Sequence, residues 1–397
     1  MLFTKKKTLK GNLVVDLYNG FVTVHFVPTE KTDKSKEVYS GSYEFPYLKV
    51  ADPKRQLTDE AIEIAFAKLK KALFDAMSDD KLTAEILHIF VIPHGTLSQA
   101  QISNLHVKLR KKEKLNTAIL REILEKHHLD QMAFKNLIES DAGKRYFKSK
   151  KVVTAVLPNY YDLKSWKDKP AVYLELMIAE TLLIETLHNK YEKLLKAEFP
   201  EARLISFINP GVLYSLRESI NTTDLRSDKY NVVDIGKEFI TLYKIYRKRV
   251  IHTQTIQFGA NSLLRDIDPF FGGFELAKSG LLNYLSGKCK GDLCSRIKDA
   301  MDKFEKEISS VLAQKDTKDK QTLAEQIVFA KTKFIFNDAI EAEIFTFIAS
   351  VIKKALKDKS DEQFDKTKHR LDYHEIISKI FSKDFAVEDN KDEIIVL

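Results

Sequence analysis

The chain has 397 residues, 44% of them hydrophobic and 31% charged, which supplies enough apolar material for a divided core and excludes a disordered polypeptide. Glycine is scarce at 13 residues, so collagen-like and glycine-rich architectures are excluded as well. Lys and Arg number 65 against 57 Asp and Glu, a formal charge of +8 that permits an anionic partner without requiring one.

In chain order, LVVDL at 13–17 reads as a strand, Asn19-Gly20 as a tight turn and FVTVHFV as a second strand, so the protein opens on a β-hairpin. An extended stretch covers 39–50. Thr58 caps a helix whose buried face is Ile62, Phe66, Leu69, Leu73 and Met77. EILHIFVI at 85–92 is a buried strand ended by Pro93. Residues 98–150 are polar, basic and read as helical, an inserted subdomain flanked by KLRKKEK and KRYFKSKK. VVTAVLP at 152–158 and AVYLELMI at 171–178 are strands, followed by a helix over about 180–197. RLISFI at 203–208 is a strand closed by Asn209-Pro210-Gly211. Residues 230–267 hold three strands joined by tight turns and a helix opened near Asn261-Ser262. Everything from about 274 reads as helical, with stripes at Ile297, Met301, Phe304, Ile308, Val311 and at Ile340, Ile344, Phe347, Val351, before a final strand in DEIIVL.

Cys289 and Cys294 are too few for a disulfide framework, and a lone C-x4-C is not a zinc site; they read as a thiol pair in a reducing compartment. The apolar stretch after the basic start is broken by Asp16, so no signal peptide is expected. No stretch approaches the roughly 18 apolar residues of a spanning helix. The chain reads as cytoplasmic.

One unit occurs twice: a strand ending in Asp, a tight turn, and a return strand, near 13–26 and again near 231–245. Turn N–H groups can face phosphate oxygens, and the Asp can orient Mg²⁺ directly or through its waters. Asp16, Asn19 and Gly20 fit these roles in the first unit, and Asp234 and Gly236 in the second, with Asp16 and Asp234 as the metal-orienting pair. On VVDLYNGFVTVHFV, NVVDIGKEFITLYKIYRKRV and IQFGANSLLRDI (256–267), the chain resembles the actin-like ATPases, in the bacterial branch that includes FtsA and PilM. The resemblance implies an α/β, actin-like (ribonuclease H-like) fold of two halves about a central cleft. The first half would be 1–220, with the inserted subdomain at about 98–150, and the second 221–397. It also implies ATP and Mg²⁺ as cofactors, with Lys237 and Gly259 joining the binding residues.

The departures from that pattern point to a degraded nucleotide site. Tyr18 stands where the family has a glycine that lets phosphate approach the backbone. Glu238 adds negative charge, which Lys237 would offset. After Gly291 there is no further glycine to form the late pair under the adenine, and Gly272-Gly273 comes too early. The expected protein is therefore at most a weak ATPase. Its expected role is a cytoplasmic scaffold or adaptor of a membrane-associated assembly, its partner the cytoplasmic segment of a membrane protein or another copy of itself. An FtsA-like filament former is the alternative, but the acidic end FAVEDNKDEIIVL is too short for an amphipathic membrane helix. A nucleic-acid binder ranks third, because Tyr146 and Phe147 supply few rings beside the basic runs. His25, His88 and His252 read as ordinary strand histidines, and His127-His128 with Asp130 matches no ligand spacing.

Overall fold

The computed structural model describes residues 7–18, 21–29, 39–44, 64, 67–69, 71, 82–131, 137–139, 145–148, 151–161, 166–214, 229–246, 249–313, 331–335, 340–357 and 394–396. Three sheets organise them. In the first, β1 (Lys7–Tyr18), β2 (Phe21–Pro28) and β3 (Tyr39–Glu44) form an antiparallel meander. β4 (Leu82–Pro93) lies parallel to β1 on its other side, and β10 (Leu204–Phe207) lies parallel to β4. Leu13, Val15 and Leu17 of β1 face one core and Val14 faces another, so both sides of the strand are buried, as its unbroken apolar run requires. The anticipated helix near 58–77 lies mostly outside the described residues; 64, 67–69 and 71 are helical, and Leu69 is buried in the first core.

The second sheet contains β5 (Ser98–Lys114), β6 (Leu137–Glu139), β7 (Arg145–Lys148), β8 (Lys151–Pro158), β9 (Pro170–Ile184) and β15 (Ile394–Val396). The helix α1 (Thr117–Gln131) packs Leu120 and Leu124 against it. Two expectations change here. Residues 98–114 form a 17-residue strand in place of a helix, because β5 runs antiparallel to β9 from Ser98↔Leu183 onward. Cross-strand pairing against a partly buried neighbour overrides the helical preference of the lysine-rich run. For the same reason β9 continues to Ile184, and the helix that follows, α2 (Glu185–Glu198), begins later than expected.

The third sheet repeats the plan of the first. β11 (Lys229–Ile235), β12 (Ile240–Tyr246) and β13 (Arg249–Ile256) form an antiparallel meander, with β14 (Lys331–Ile335) parallel to β11. β14 corrects the all-helical reading of the C-terminal region: Phe334 and Ile335 fill the sheet beside Val233 and Asp234. The helices α3 (Ala260–Phe271), α4 (Phe274–Leu285), α5 (Asp292–Ala313) and α6 (Ala342–Ala355) cover one face. The other face turns to the first sheet, and a shared core joins Val14, Phe90 and Ile92 to Val232, Tyr243 and Ile245.

Cys289 and Cys294 are bonded to each other, which replaces the expected thiol pair. The turn between α4 and α5 uses glycines with left-handed backbone at Gly287 (φ 70°) and Gly291 (φ 82°), and this sets the two Cα atoms 5.8 Å apart, within bonding reach. Among the described residues no helix is long and apolar enough to cross a membrane.

Candidate functional site

The two Asp-bearing strands end opposite each other. Asp16 sits near the end of β1, across from Thr23 of β2, and Asp234 sits near the end of β11, across from Thr241 of β12. Both carboxylates are 3% exposed. Between them lies His94, 1% exposed, the first residue after β4. Its Nδ1 is 2.7 Å from Asp234 Oδ2 and its Nε2 is 3.1 Å from Asp16 Oδ1. One imidazole thus bridges the hairpin of each half.

Several features fix that ring. The parallel register of β4 on β1 carries His94 alongside Leu17, and its N–H donates to the Leu17 carbonyl at 2.8 Å. Tyr18 stacks on the ring at 3.6 Å between centroids and 19° between planes. Gly95 follows in left-handed backbone, φ 61°, a turn that a side-chain-bearing residue would strain. Behind the turn, Ser98 Oγ donates to the Pro93 carbonyl, and Asn209, fully buried, donates to Ser98 and also receives the Gly211 N–H. The Asn209 N–H donates to Thr181 Oγ1. This network anchors the end of β4 to β5, β9 and the segment after β10.

The electrostatics favour a charged bridge. Burial pushes the His94 pKa down, but the Asp234 charge first, then the hydrogen bonds to Asp16 and Asp234 and the Asp16 charge, outweigh it and raise the value to about 9. Burial also pushes Asp16 up, yet hydrogen bonds from His25 and His94 hold its carboxyl well below the usual carboxylate range. His25 Nε2 lies 3.6 Å from Asp16 Oδ2, so this histidine, expected to be an ordinary strand residue, belongs to the cluster. Near neutral pH His94 is an imidazolium between two carboxylates. Both of its nitrogens are engaged, so it is not placed to act as a general base. Asp234 Oδ1 is buried with no hydrogen-bond partner among the described residues.

The turn of the second hairpin is folded onto itself. The Gly236 N–H donates to the Phe239 carbonyl at 2.8 Å, and the first N–H groups of α3 donate inward, Ala260 to Gly236 O and Asn261 to Lys237 O. Gly259 makes this approach possible: a Cβ there would meet Lys237 O at 2.4 Å. Lys237 is buried beside these groups. Glu238 points into α3, held by both oxygens on Arg265 at 2.5 and 2.6 Å and by Asn261 at 2.8 Å. Its counter-charge is therefore Arg265, where the sequence had suggested Lys237. The cavity bounded by Tyr18, His94, Gly95, Asp234 and residues 236–239 holds about 10 Å³, the room of roughly one water. Among the described residues no group of three or more His, Cys, Asp or Glu is arranged to hold a metal ion. Asn19 and Gly20 lie outside the described residues.

No family model matches the chain, and no curated protein matches it. Solved structures do. A PilM–PilN type IV pilus biogenesis complex superposes at a TM-score of 0.50 with 9% identity, covering 94% of this chain and 96% of that one. The chain has the actin-like ATPase fold. Diol dehydratase-reactivating factor in a nucleotide-free form is similar at a TM-score of 0.44 and 7% identity, over 94% of this chain and 100% of that one. The ethanolamine utilization protein EutJ from Carboxydothermus hydrogenoformans is similar at 0.38 and 9%, over 87% and 82%. In this actin-like chain sequence reasoning found the two aspartates and missed His94. Its signal was a Pro-His-Gly triplet closing the apolar run at 89–92, where a polar residue has few solvent-facing options.

Proposed function

We propose that this chain is an actin-like adaptor that works by holding a protein partner and does not turn over ATP. The observation that carries the reading is the Asp16–His94–Asp234 bridge. In the actin-like pattern the two aspartates serve a cation and its phosphates; here an internal imidazolium supplies the positive charge between them. A magnesium–phosphate group does not fit the residues as they stand. The ring fills the space between the carboxylates, Tyr18 covers it, and in the second hairpin the Gly236, Ala260 and Asn261 N–H groups are engaged with the carbonyls of Phe239, Gly236 and Lys237. The bridge also ties the two halves together, so the cleft serves cohesion and the outer surfaces are left for recognition.

The partner class is inferred by analogy of fold. The similar PilM structure is a complex with PilN in type IV pilus biogenesis. For this chain we infer the cytoplasmic segment of a membrane protein, or a second copy of itself, with the protein peripheral to the inner face of the membrane.

Thermal unfolding with and without Mg²⁺–ATP tests the reading. The wild-type curve should not move, whereas a ligand at 100 times its dissociation constant would add about 2.7 kcal/mol. A clear rise that Asp16→Ala and Asp234→Ala both remove would overturn it. The affinity of a purified partner should be the same with and without ATP.

A further inference from the structure

The residues that follow β8, 159–161, hold tyrosines outward. Asn159 and Tyr160 both have left-handed backbone, at φ 51° and 66°, an uncommon conformation for asparagine and a strained one for a bulky aromatic residue. Asn159 secures the turn: its Oδ1 receives the Val172 and Tyr173 N–H groups, its Nδ2 donates to the Pro170 carbonyl, and its own N–H donates to Tyr173 O. Held this way, Tyr160 is 54% exposed and Tyr161 63% exposed. Tyr160 stacks on Tyr173 of β9 at 6.0 Å and 24°, and His106 of β5 lies 6.0 Å from Tyr160. Lys108, directly across the ladder from Tyr173, places its ammonium 5.8 Å over that ring.

These rings stand at the end of the sheet that carries the β5 cations. Beyond Lys108, β5 continues through exposed Arg110, Lys111, Lys112 and Lys114. The turn before β9 is tied to the end of β5 by Asp168 N–H to Leu115 O and Leu115 N–H to Lys169 O, which brings Lys169 alongside. Among the described residues, acids adjoining these in the chain or the ladder are Glu113, Asp168 and Glu175. The basic run at 108–114 carries no ring of its own; the fold brings Tyr160, Tyr161 and Tyr173 to it from beyond β8.

We propose that this tip binds single-stranded nucleic acid, stacking bases on the tyrosines and pairing backbone phosphates with the β5 cations, without reading base identity. Two alternatives fit the surface less well. A lipid surface is met by apolar wedges beside the basic groups, and among the described residues the large aliphatic and Phe side chains that are exposed, Phe270, Leu276 and Leu293, lie on the second half. An acidic peptide needs the cations alone and leaves the pre-stacked, strained tyrosine turn without a role.

The experiment is fluorescence anisotropy of labelled oligo(dT) and oligo(rU) with the full chain across a salt series. Parallel arms use duplex DNA, polyglutamate and phosphatidylserine vesicles. Expected are similar affinities for the two oligomers and weaker binding of duplex. Tyr160→Ala and Tyr173→Ala should each weaken binding about 5- to 100-fold, and Tyr160→Phe should keep it. Lys108→Ala and Lys112→Ala should each lower the slope of log affinity against log salt by about 0.7. All four sites are exposed, so unchanged melting temperatures would show that the fold persists. Absence of oligonucleotide binding at low salt, binding indifferent to both Tyr→Ala changes, or binding to vesicles or polyglutamate in its place would each overturn the proposal.

Discussion

The hairpins of Asp16 and Asp234 share one topology and differ in how their carboxylates are answered. Each sheet is a three-stranded meander with a parallel strand beside its first member. Asp16 is approached by Thr23, His25 and His94, while Asp234 has His94 on one oxygen and nothing on the other among the described residues. The first half supplies the neutralising groups for both. In a duplicated scaffold one half can therefore answer the carboxylates of both, when a single residue after a parallel strand reaches across.

The sharpest way to break this asymmetry is to remove the bridge. His94→Ala should leave Asp234 without its counter-charge and Asp16 with His25 alone, and lower stability by about 3–5 kcal/mol in chemical denaturation. Added Mg²⁺ should recover part of that loss in the variant and none in the wild type, since the variant alone has space between the aspartates. Equal responses of the two proteins to Mg²⁺ would contradict the account of His94 as an internal cation.

Changing pH removes the same charge without a substitution. The His94 pKa is raised, so its contribution is complete below about 6.5 and is lost as pH rises through about 9. The Asp16 pKa is depressed, so its contribution is complete above about 4 and falls away in acid. Stability measured by urea unfolding should thus be greatest between roughly pH 4 and 6.5, and should fall by on the order of 3 kcal/mol toward pH 10. His94→Ala should flatten the alkaline limb.

Within the second half, Arg265→Met leaves Glu238 with Asn261 as its remaining partner. The pair is mostly buried, so a loss of about 2 kcal/mol is expected by the same denaturation assay. Glu238→Gln combined with Arg265→Met should recover some of it. A smaller effect should follow reduction of Cys289–Cys294, at most about 2 kcal/mol for so short a loop. That loss should appear in hydrogen exchange of α4 and α5 while β1 and β2 are unaffected.

What the sequence disclosed follows from how local each signal is. Asp16 and Asp234 were legible because each closes an apolar strand before a tight turn, and the pattern repeats. The disposition of Lys237 and Gly259 was not, because their hydrogen bonds depend on α3 folding back over its own turn. His94 carries no local pattern of its own; its role comes from register on β1 and from a partner 140 residues later. β5 was misread although its signal is present: Leu105, Val107 and Leu109 alternate with His106, Lys108 and Arg110, a period of two obscured by the lysine run that follows. The tyrosine tip was invisible because its rings come from two strands and a strained turn.

The short strand β15 has a consequence for how the chain is made. Residues 394–396 pair in parallel with residues 151–153, completing the sheet of the first half with chain that follows nearly all of the second. During synthesis the edge of β8 must wait, open, while the ribosome adds the intervening residues. A partner or chaperone that caps that edge would have its opportunity in this interval, and β15 would displace it once made.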